Sequence, residues 1–272
     1  MRSQGKSRLG FYPLPLSEAQ RIHRFLLFPD QPSSALEPCI GDGAAFAAIT
    51  SDAEVLRYGI ELDAYRAGQA GQKILNIVQG NTLEVQCPVE CFGLLYLNPP
   101  YDWTLGPADS RRTEQSFLSH TYRWLKPGGV LLFVIPGDRL TECSQILSTH
   151  FRDVRVYGLE APQCLRYKQV VLFRVRRNRR ERERLTDNDI TRARLYYASL
   201  ARDATQIPTL ATPTWAPSGQ PSSSRTSLRW KLRDSIPLLL AREKTPNVSA
   251  GQSLSPLANQ SVTWSRSRRS WP

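Results

Sequence analysis

The tetrapeptide Asn98-Pro99-Pro100-Tyr101 joins an amide, two rigid rings and an aromatic side chain in one short segment. It follows the apolar run 92–97, which predicts a buried strand, so the tetrapeptide would lie at the carboxyl end of that strand. The Asn98 amide oxygen and the Pro99 carbonyl could accept both hydrogens of a planar amine, while Tyr101 stacks on its ring. Because such an amine is a weak nucleophile, holding its nitrogen in line with an electrophilic methyl group would promote methylation.

A glycine-containing turn lies upstream of this tetrapeptide. Residues 35–39 predict a short strand that includes Glu37 and Cys39, and Gly41-Asp42-Gly43 then leads into a helix of small residues at 44–49. Glycine lets the backbone approach a ligand closely at a helix N-terminus. The turn lacks the full Gly-x-Gly-x-x-Gly pattern and the phosphate-loop lysine, which disfavours a dinucleotide or a nucleoside triphosphate.

Polar residues also follow the next two predicted strands. Strand 55–60 ends in Glu61-Leu62-Asp63, about 20 residues beyond the glycine turn, where a carboxylate can accept from ribose hydroxyls in a doubly wound sheet. Glu61 is the better candidate, because Asp63 could simply cap the helix that follows. Strand 74–78 is followed by Asn81, which is either a ligand acceptor or a turn residue.

Together the tetrapeptide, the glycine turn and the acidic strand end resemble the class I S-adenosylmethionine-dependent methyltransferases. The branch that they resemble methylates exocyclic amines, and DNA adenine methyltransferases are its best-known members. The resemblance covers about residues 10 to 177 and implies S-adenosylmethionine as the methyl donor, with the tetrapeptide as the catalytic motif. It further implies the following cofactor-binding residues: Tyr12, Pro13, Glu37, Cys39, Gly41, Asp42, Gly43, Glu61, Asp63, Asn81 and Asn98.

Two positions depart from what the resemblance leads us to expect. Members of this branch commonly have aspartate where this chain has Asn81, and threonine where it has Leu14. Leu14 belongs to segment 10–15, and the amphipathic stretch 17–28 that follows would pack over the methionine end of the cofactor. A helix capped by Ser17 would explain the same stretch without a ligand.

Apolar segments alternate with helical patterns up to about residue 177. Further strands at 130–135, 154–157 and 169–175 predict an α/β fold with a mostly parallel, seven-stranded sheet and helices on both faces, the Rossmann-like class I methyltransferase fold. The strand ends would collect the polar residues at one edge. The predicted parts of the chain are an N-terminal segment at 1–30, a catalytic domain at 31–177, a basic linker with a further helix at 178–203 and a low-complexity, largely disordered basic tail at 204–272.

The net charge of +12 favours a polyanionic partner, and we expect nucleic acid, specifically DNA. Seven arginines between Arg174 and Arg184, and the tail segment 266–269, could contact phosphates, or the arginine run could be a solvated linker. A target adenine would have to leave the base stack to reach the tetrapeptide, and Phe11, Tyr12 or Trp103 could stack on it. Because a second globular module is not evident, base recognition would come from loop 102–112, the tail or a partner.

Other sequence features exclude several classes of protein. The five cysteines are odd in number and lack Cys-x-x-Cys spacing, which predicts reduced thiols in a cytoplasmic protein. Cys87-x-x-x-Cys91 is a weak zinc pattern, and we expect no metal. An apolar span of membrane length and a cleavable signal are missing from the sequence, so we expect neither membrane insertion nor secretion. Two functional alternatives stay open: methylation of RNA or of a protein glutamine, and a catalytically weak accessory protein that binds nucleic acid.

Overall fold

The structure is a computed structural model that describes residues 12–51, 54–101 and 113–210. It also describes the backbone pairing of two short tail segments, 231–232 and 265–266. The predictions for Phe11, for loop 102–112 and for the rest of the tail lie outside these residues.

Within the described residues, a seven-stranded sheet forms the centre of the fold, with the strand order β3-β2-β1-β4-β5-β7-β6. Neighbouring strands pair in parallel except around β7, which is antiparallel to both β5 and β6. The strands are β1 (Ser33–Glu37), β2 (Val55–Glu61), β3 (Asn76–Gln79), β4 (Phe92–Leu97), β5 (Leu125–Pro136), β6 (Phe151–Gly158) and β7 (Gln169–Arg176). This is the Rossmann-like class I methyltransferase fold, as the sequence predicts.

Helices cover both faces of this sheet. The described helices are α1 (Leu16–His23), α2 (Ala44–Ile49), α3 (Ala64–Gly71), α4 (Thr113–Thr121), α5 (Leu140–His150), α6 (Pro162–Arg166), α7 (Arg179–Glu183) and α8 (Asp187–Arg202). Short 3-10 turns lie at Thr82–Glu84, Tyr122–Trp124, Gly137–Arg139 and Ala204–Gln206. Side chains of α1, α2, α3 and α6 pack on one face, and those of α4, α5 and α8 pack on the other. The sheet is therefore buried on both sides, which is why its parallel strands are continuous apolar runs.

Helix α8 is part of the folded unit, although its residues were assigned to a basic linker with a further helix. Tyr197 and Leu200 are buried in the same apolar cluster as the side chains of α4 and α5. Ile207 and Leu210, beyond the helix, are buried as well. We therefore propose that the folded unit extends to about Leu210 instead of ending at residue 177.

Two details of the chain ends refine the predictions. Helix α1 begins at Leu16 with Pro15 at the N-cap, so the predicted Ser17 cap is wrong. In the tail, Lys231–Leu232 pairs with Leu26–Leu27, and Ser265–Arg266 pairs with Val85–Gln86. Residues 204–210, which we assigned to the disordered tail, are ordered against the core, so the prediction is wrong there, and the other tail residues lie outside the described part of the chain.

Candidate active site

The predicted site residues gather at one edge of the sheet. Strands β1, β2 and β4 run parallel, so Glu37, Glu61 and Asn98 at their carboxyl ends lie at the same edge. Strand β7 runs in the opposite direction, so its first residue, Gln169, reaches this edge too. The register of the sheet thus brings together polar groups from four separate parts of the chain.

The glycine turn has the conformation that its composition suggests. Gly41 and Gly43 have φ angles of 58° and 77°, in the left-handed region that favours glycine. A Cβ atom on Gly43 would lie 3.3 Å from the Cα atom of Ala70, so helix α3 approaches the turn closely. The turn therefore needs glycine for both its backbone angle and its packing.

A cavity of about 400 Å³ lies over this turn, within the size range of small-molecule sites. The predicted cofactor-binding residues that line it are Tyr12, Pro13, Glu37, Cys39, Asp42, Glu61, Asn81 and Asn98. Three others, Gly41, Gly43 and Asp63, shape the adjoining backbone but are not part of the lining. The structure adds several side chains that the sequence did not single out: Ile40, Ile60, Leu62, Tyr96, Phe117 and Gln163. Five of them have no sequence signal beyond the general apolar pattern of the strands and helices, and Gln163 has none.

Glu37 lines this cavity and has one carboxylate oxygen without a hydrogen bond. Its side chain is 3% exposed, and Oε2 has no hydrogen-bond partner among the described residues. Burial raises the pKa of this carboxyl well above its ordinary value, and the negative charges of Glu61 and Asp42 raise it further. Tyr96 also lines the cavity, and its hydroxyl is likewise buried without a hydrogen bond. A cationic or donor group of a ligand would satisfy these atoms.

The Glu61 carboxylate, by contrast, is held by several protein donors. Its Oε2 accepts from the Gly41 backbone N–H at 2.9 Å, and its Oε1 accepts from the Asp63 N–H at 2.9 Å. The Arg66 guanidinium donates to Oε1 at 3.1 and 2.7 Å. Each carboxylate oxygen has about two acceptor positions, so Oε2 could still accept from one ribose hydroxyl, whereas a second hydroxyl at Oε1 would have to replace or share a present contact there.

Asp63 and Asn81 both take the structural roles that were the alternatives to ligand binding. The Asp63 carboxylate caps helix α3 by accepting from the Arg66 N–H at 3.0 Å. The Asn81 amide oxygen accepts from the Leu83 N–H at 3.1 Å, and its amide nitrogen donates to Glu84 at 2.9 Å. Asn81 still lines the cavity, but its oxygen already serves a turn.

Asn98 is held on both sides of its amide group. Its Nδ2 donates to the Tyr12 carbonyl at 3.0 Å, and its Oδ1 accepts from the Tyr101 hydroxyl at 2.7 Å. That hydroxyl accepts in turn from the Gln169 amide at 2.6 Å. Burial raises the pKa of Tyr101 well above its ordinary value, so the hydroxyl stays protonated and remains a donor. One lone pair of Oδ1 is left for a further donor.

The ring of Tyr12 lies where we expected a planar target to stack. It is nearly parallel to the Tyr101 ring, at 17°, with 5.2 Å between the ring centroids. It also contacts the Tyr167 ring, edge-on at 4.8 Å. Another ring cannot enter between Tyr12 and Tyr101 at this separation, so a target that stacks on this face of Tyr101 must displace the Tyr12 ring.

The arginine run that was predicted to contact phosphates begins at the opposite edge of the sheet. Arg174 and Arg176, near the end of β7, are 1% and 5% exposed. Arg174 donates to the Leu147 carbonyl at 2.7 Å, and Arg176 donates to the Tyr122 carbonyl at 2.9 Å. These two arginines therefore bind main-chain carbonyls inside the fold, and the prediction that they contact phosphates is wrong.

Neither a metal cluster nor a membrane span is found within the described residues. They contain no group of three or more His, Cys, Asp or Glu side chains that could hold a metal ion. Likewise, none of the described helices is long and apolar enough to cross a membrane. All five cysteines are free thiols.

The sheet order and the cavity at the carboxyl edge define a protein with the class I methyltransferase fold. Residues 2–213 match the profile of an uncharacterised methyltransferase family, DUF6094. Since this match covers more than half of the chain, the protein belongs to that family.

Solved structures with a similar fold include two proteins of restriction systems. One is the type I restriction-modification system methyltransferase subunit from Streptococcus thermophilus, with 18% identity over 70% of this chain and 53% of that one, and a TM-score of 0.51. The other is the type IIG restriction endonuclease BpuSI, with 13% identity over 64% of this chain and 26% of that one, and a TM-score of 0.50. The match thus spans about half of the first protein and a quarter of the second. None of the curated proteins matches this sequence.

Proposed function

We propose that this protein transfers a methyl group from S-adenosylmethionine to an exocyclic amine, that of adenine in DNA. The observation that carries the proposal is the Asn98 amide, which is fixed by the Tyr12 carbonyl and the Tyr101 hydroxyl beside a cavity of cofactor size. Membership of a methyltransferase family supports the reaction type. We also propose a cytoplasmic location, which the free thiols support.

The cavity residues fit S-adenosylmethionine. The unsatisfied Oε2 of Glu37 would accept from the ammonium of its methionine part, and Glu61 is the candidate acceptor for its ribose hydroxyls. Apolar side chains, including Ile60 and Phe117, would contact its adenine and aliphatic parts. When bound, the cofactor supplies a methyl group on a positively charged sulfur, which makes that methyl group electrophilic.

The tetrapeptide would orient the amine and exclude alternative geometries. Asn98 Oδ1 has one lone pair free beside the Tyr101 hydroxyl, and the Pro99 carbonyl is the proposed second acceptor, so both amine hydrogens would be held. This arrangement directs the nitrogen toward the methyl group without a general base, because the neutral amine already carries the attacking electrons. The proton that the methylated nitrogen then loses would pass to water, since the protonated Tyr101 hydroxyl cannot accept it.

DNA is supported as the substrate by charge and by one similar structure. The chain carries a net charge of +12, and the Streptococcus protein of similar fold is named as part of a restriction-modification system. The catalytically weak accessory protein is a second candidate, because Arg66 occupies Oε1 of Glu61 and the Asn81 oxygen caps a turn. Both contacts would weaken cofactor binding.

Methylation of DNA that lacks methyladenine tests the proposal. The protein is incubated with labelled S-adenosylmethionine and such DNA, and the digested DNA is analysed for N6-methyladenine by mass spectrometry. RNA and a glutamine peptide are assayed in parallel, and label in one of these instead would identify that substrate. Cofactor binding without transfer to any of the three would favour the accessory protein.

The variant Asn98→Ala separates chemistry from binding. We expect kcat to fall about a hundredfold or more, because a group that positions the amine in the transition state is lost. Cofactor affinity, measured by calorimetry, should change little, since both hydrogen bonds of the Asn98 amide are to protein groups. Normal turnover in this variant would reduce Asn98 to a turn residue.

A further inference from the structure

The connection between β6 and β7 lies beside the tetrapeptide, at the carboxyl edge of the sheet. It contains helix α6 and ends at Lys168, directly before Gln169, whose amide donates to the Tyr101 hydroxyl at 2.6 Å. Tyr167, one residue earlier, makes the edge contact with the Tyr12 ring at 4.8 Å. The connection is thus part of the wall around the place where a target ring would bind.

Two cations of this connection face solvent. Arg166 and Lys168 are both exposed, and neither forms an ion pair with another described residue. The Arg166 guanidinium lies over the Tyr167 ring, 5.6 Å from its centroid. Lys168 has a φ of 48°, and its carbonyl accepts from the Gly137 N–H at 3.0 Å, so its backbone is anchored. Leu165, next to them, is 60% exposed.

The arginines at the other end of β7 are far from this position. Strand β7 has eight residues, so at about 3.4 Å per residue its two ends are about 25 Å apart. Arg176 is buried there, and Arg179 forms an ion pair with Glu183 at 2.7 Å. Arg166 and Lys168 therefore lie at the same edge of the sheet as Asn98, where the phosphates that flank a bound target base would be expected.

We propose that Arg166 and Lys168 form a phosphate-binding pair that anchors DNA beside the target base. The inference rests on the proposed function, because it takes the polymer to be DNA. Guanidinium and ammonium groups flanking an aromatic ring provide charge-assisted contacts to phosphate oxygens together with an apolar surface for sugar and base. Leu165 adds an exposed apolar side chain at the same place.

The variant R166Q/K168Q tests the pair, with R180Q/R184Q as the matched control. Both variants remove two positive charges from exposed side chains, the first beside Asn98 and the second in the arginine run at the opposite edge. The affinity for one duplex oligonucleotide is measured by fluorescence anisotropy at several salt concentrations. Calorimetry with S-adenosylmethionine and the thermal midpoint are recorded for each protein, to check that fold and cofactor site are intact.

We expect R166Q/K168Q to bind DNA about tenfold or more weakly at 0.1 M salt, and the slope of log K against log salt to become shallower by about 1.8, which is about 0.9 for each lost phosphate contact. The control should retain the wild-type slope. Equal losses in the two variants, or a larger loss in the control, would overturn the inference. If the wild type binds the cofactor but no DNA, the proposed substrate itself is wrong and the inference falls with it.

Discussion

The buried carboxyl of Glu37 makes cofactor binding depend on pH in a defined direction. Its pKa is raised mainly by burial and then by Glu61 and Asp42, so the empty site favours the protonated carboxyl. The ammonium of a bound cofactor would favour the carboxylate instead. Binding should therefore release up to one proton, and affinity should rise with pH until it passes the pKa of Glu37 in the empty protein.

The variant Glu37→Gln removes this linkage. A hydrogen bond to a charged group contributes about 1.5 to 3 kcal/mol, so the dissociation constant for S-adenosylmethionine should rise about ten- to a hundredfold. Without cofactor, the Glu37→Gln variant should be more stable than the wild type. In the wild type, the stabilisation linked to the raised pKa of Glu37 is present at low pH and is lost as pH rises through that pKa, because the buried carboxyl must then ionise. Glutamine is neutral at every pH, so the gain over the wild type should increase with pH.

Calorimetry in two buffers of different ionisation enthalpy measures the released protons directly. Glu18→Gln is the matched control, since Glu18 is also buried, at 1% exposed, and has an unpartnered Oε2, but lies outside the cavity lining. This control should leave cofactor affinity and its pH dependence unchanged. A wild type whose binding enthalpy does not depend on the buffer, or a Glu37→Gln variant with normal affinity, would show that Glu37 does not contact the ammonium.

Two further predictions concern the Tyr12 ring and the extent of the folded unit. Tyr12→Ala should lower the KM for DNA, because it removes the ring that stacks on Tyr101 at 5.2 Å, whereas Tyr12→Phe keeps the ring and should resemble the wild type. Both variants keep the Tyr12 carbonyl that holds the Asn98 amide. A raised KM in Tyr12→Ala would instead show that the ring is part of the target-binding surface. Truncation after Asn178 should yield protein that does not fold, because it deletes Tyr197 and other core side chains. Loss of the buried Tyr197 side chain alone should lower the free energy of unfolding by about 3 to 5 kcal/mol. Truncation after Leu210 should instead give a thermal midpoint near that of the full chain. Circular dichroism melts of the two truncations decide this point.

Sequence alone determined the local chemistry and the class of fold. The apolar runs at 92–97 and 130–135 show buried strands because strands covered on both faces need continuous apolar side chains. Gly41 and Gly43 indicate a left-handed turn because few other residues adopt it. Placing Asn98 at a strand end followed from its position directly after an apolar run.

Only the tertiary structure decided which of the charged and aromatic residues are available for function. An apolar pattern identifies β7 as a strand but does not give its direction, and it is the antiparallel direction that brings Gln169 to Tyr101 and takes Arg176 to the far edge. Burial of Arg174, and of Glu37 without a partner, depends on packing between segments that are distant in the chain. Such contacts arise from the order and register of the strands, which residue types and local spacing do not specify.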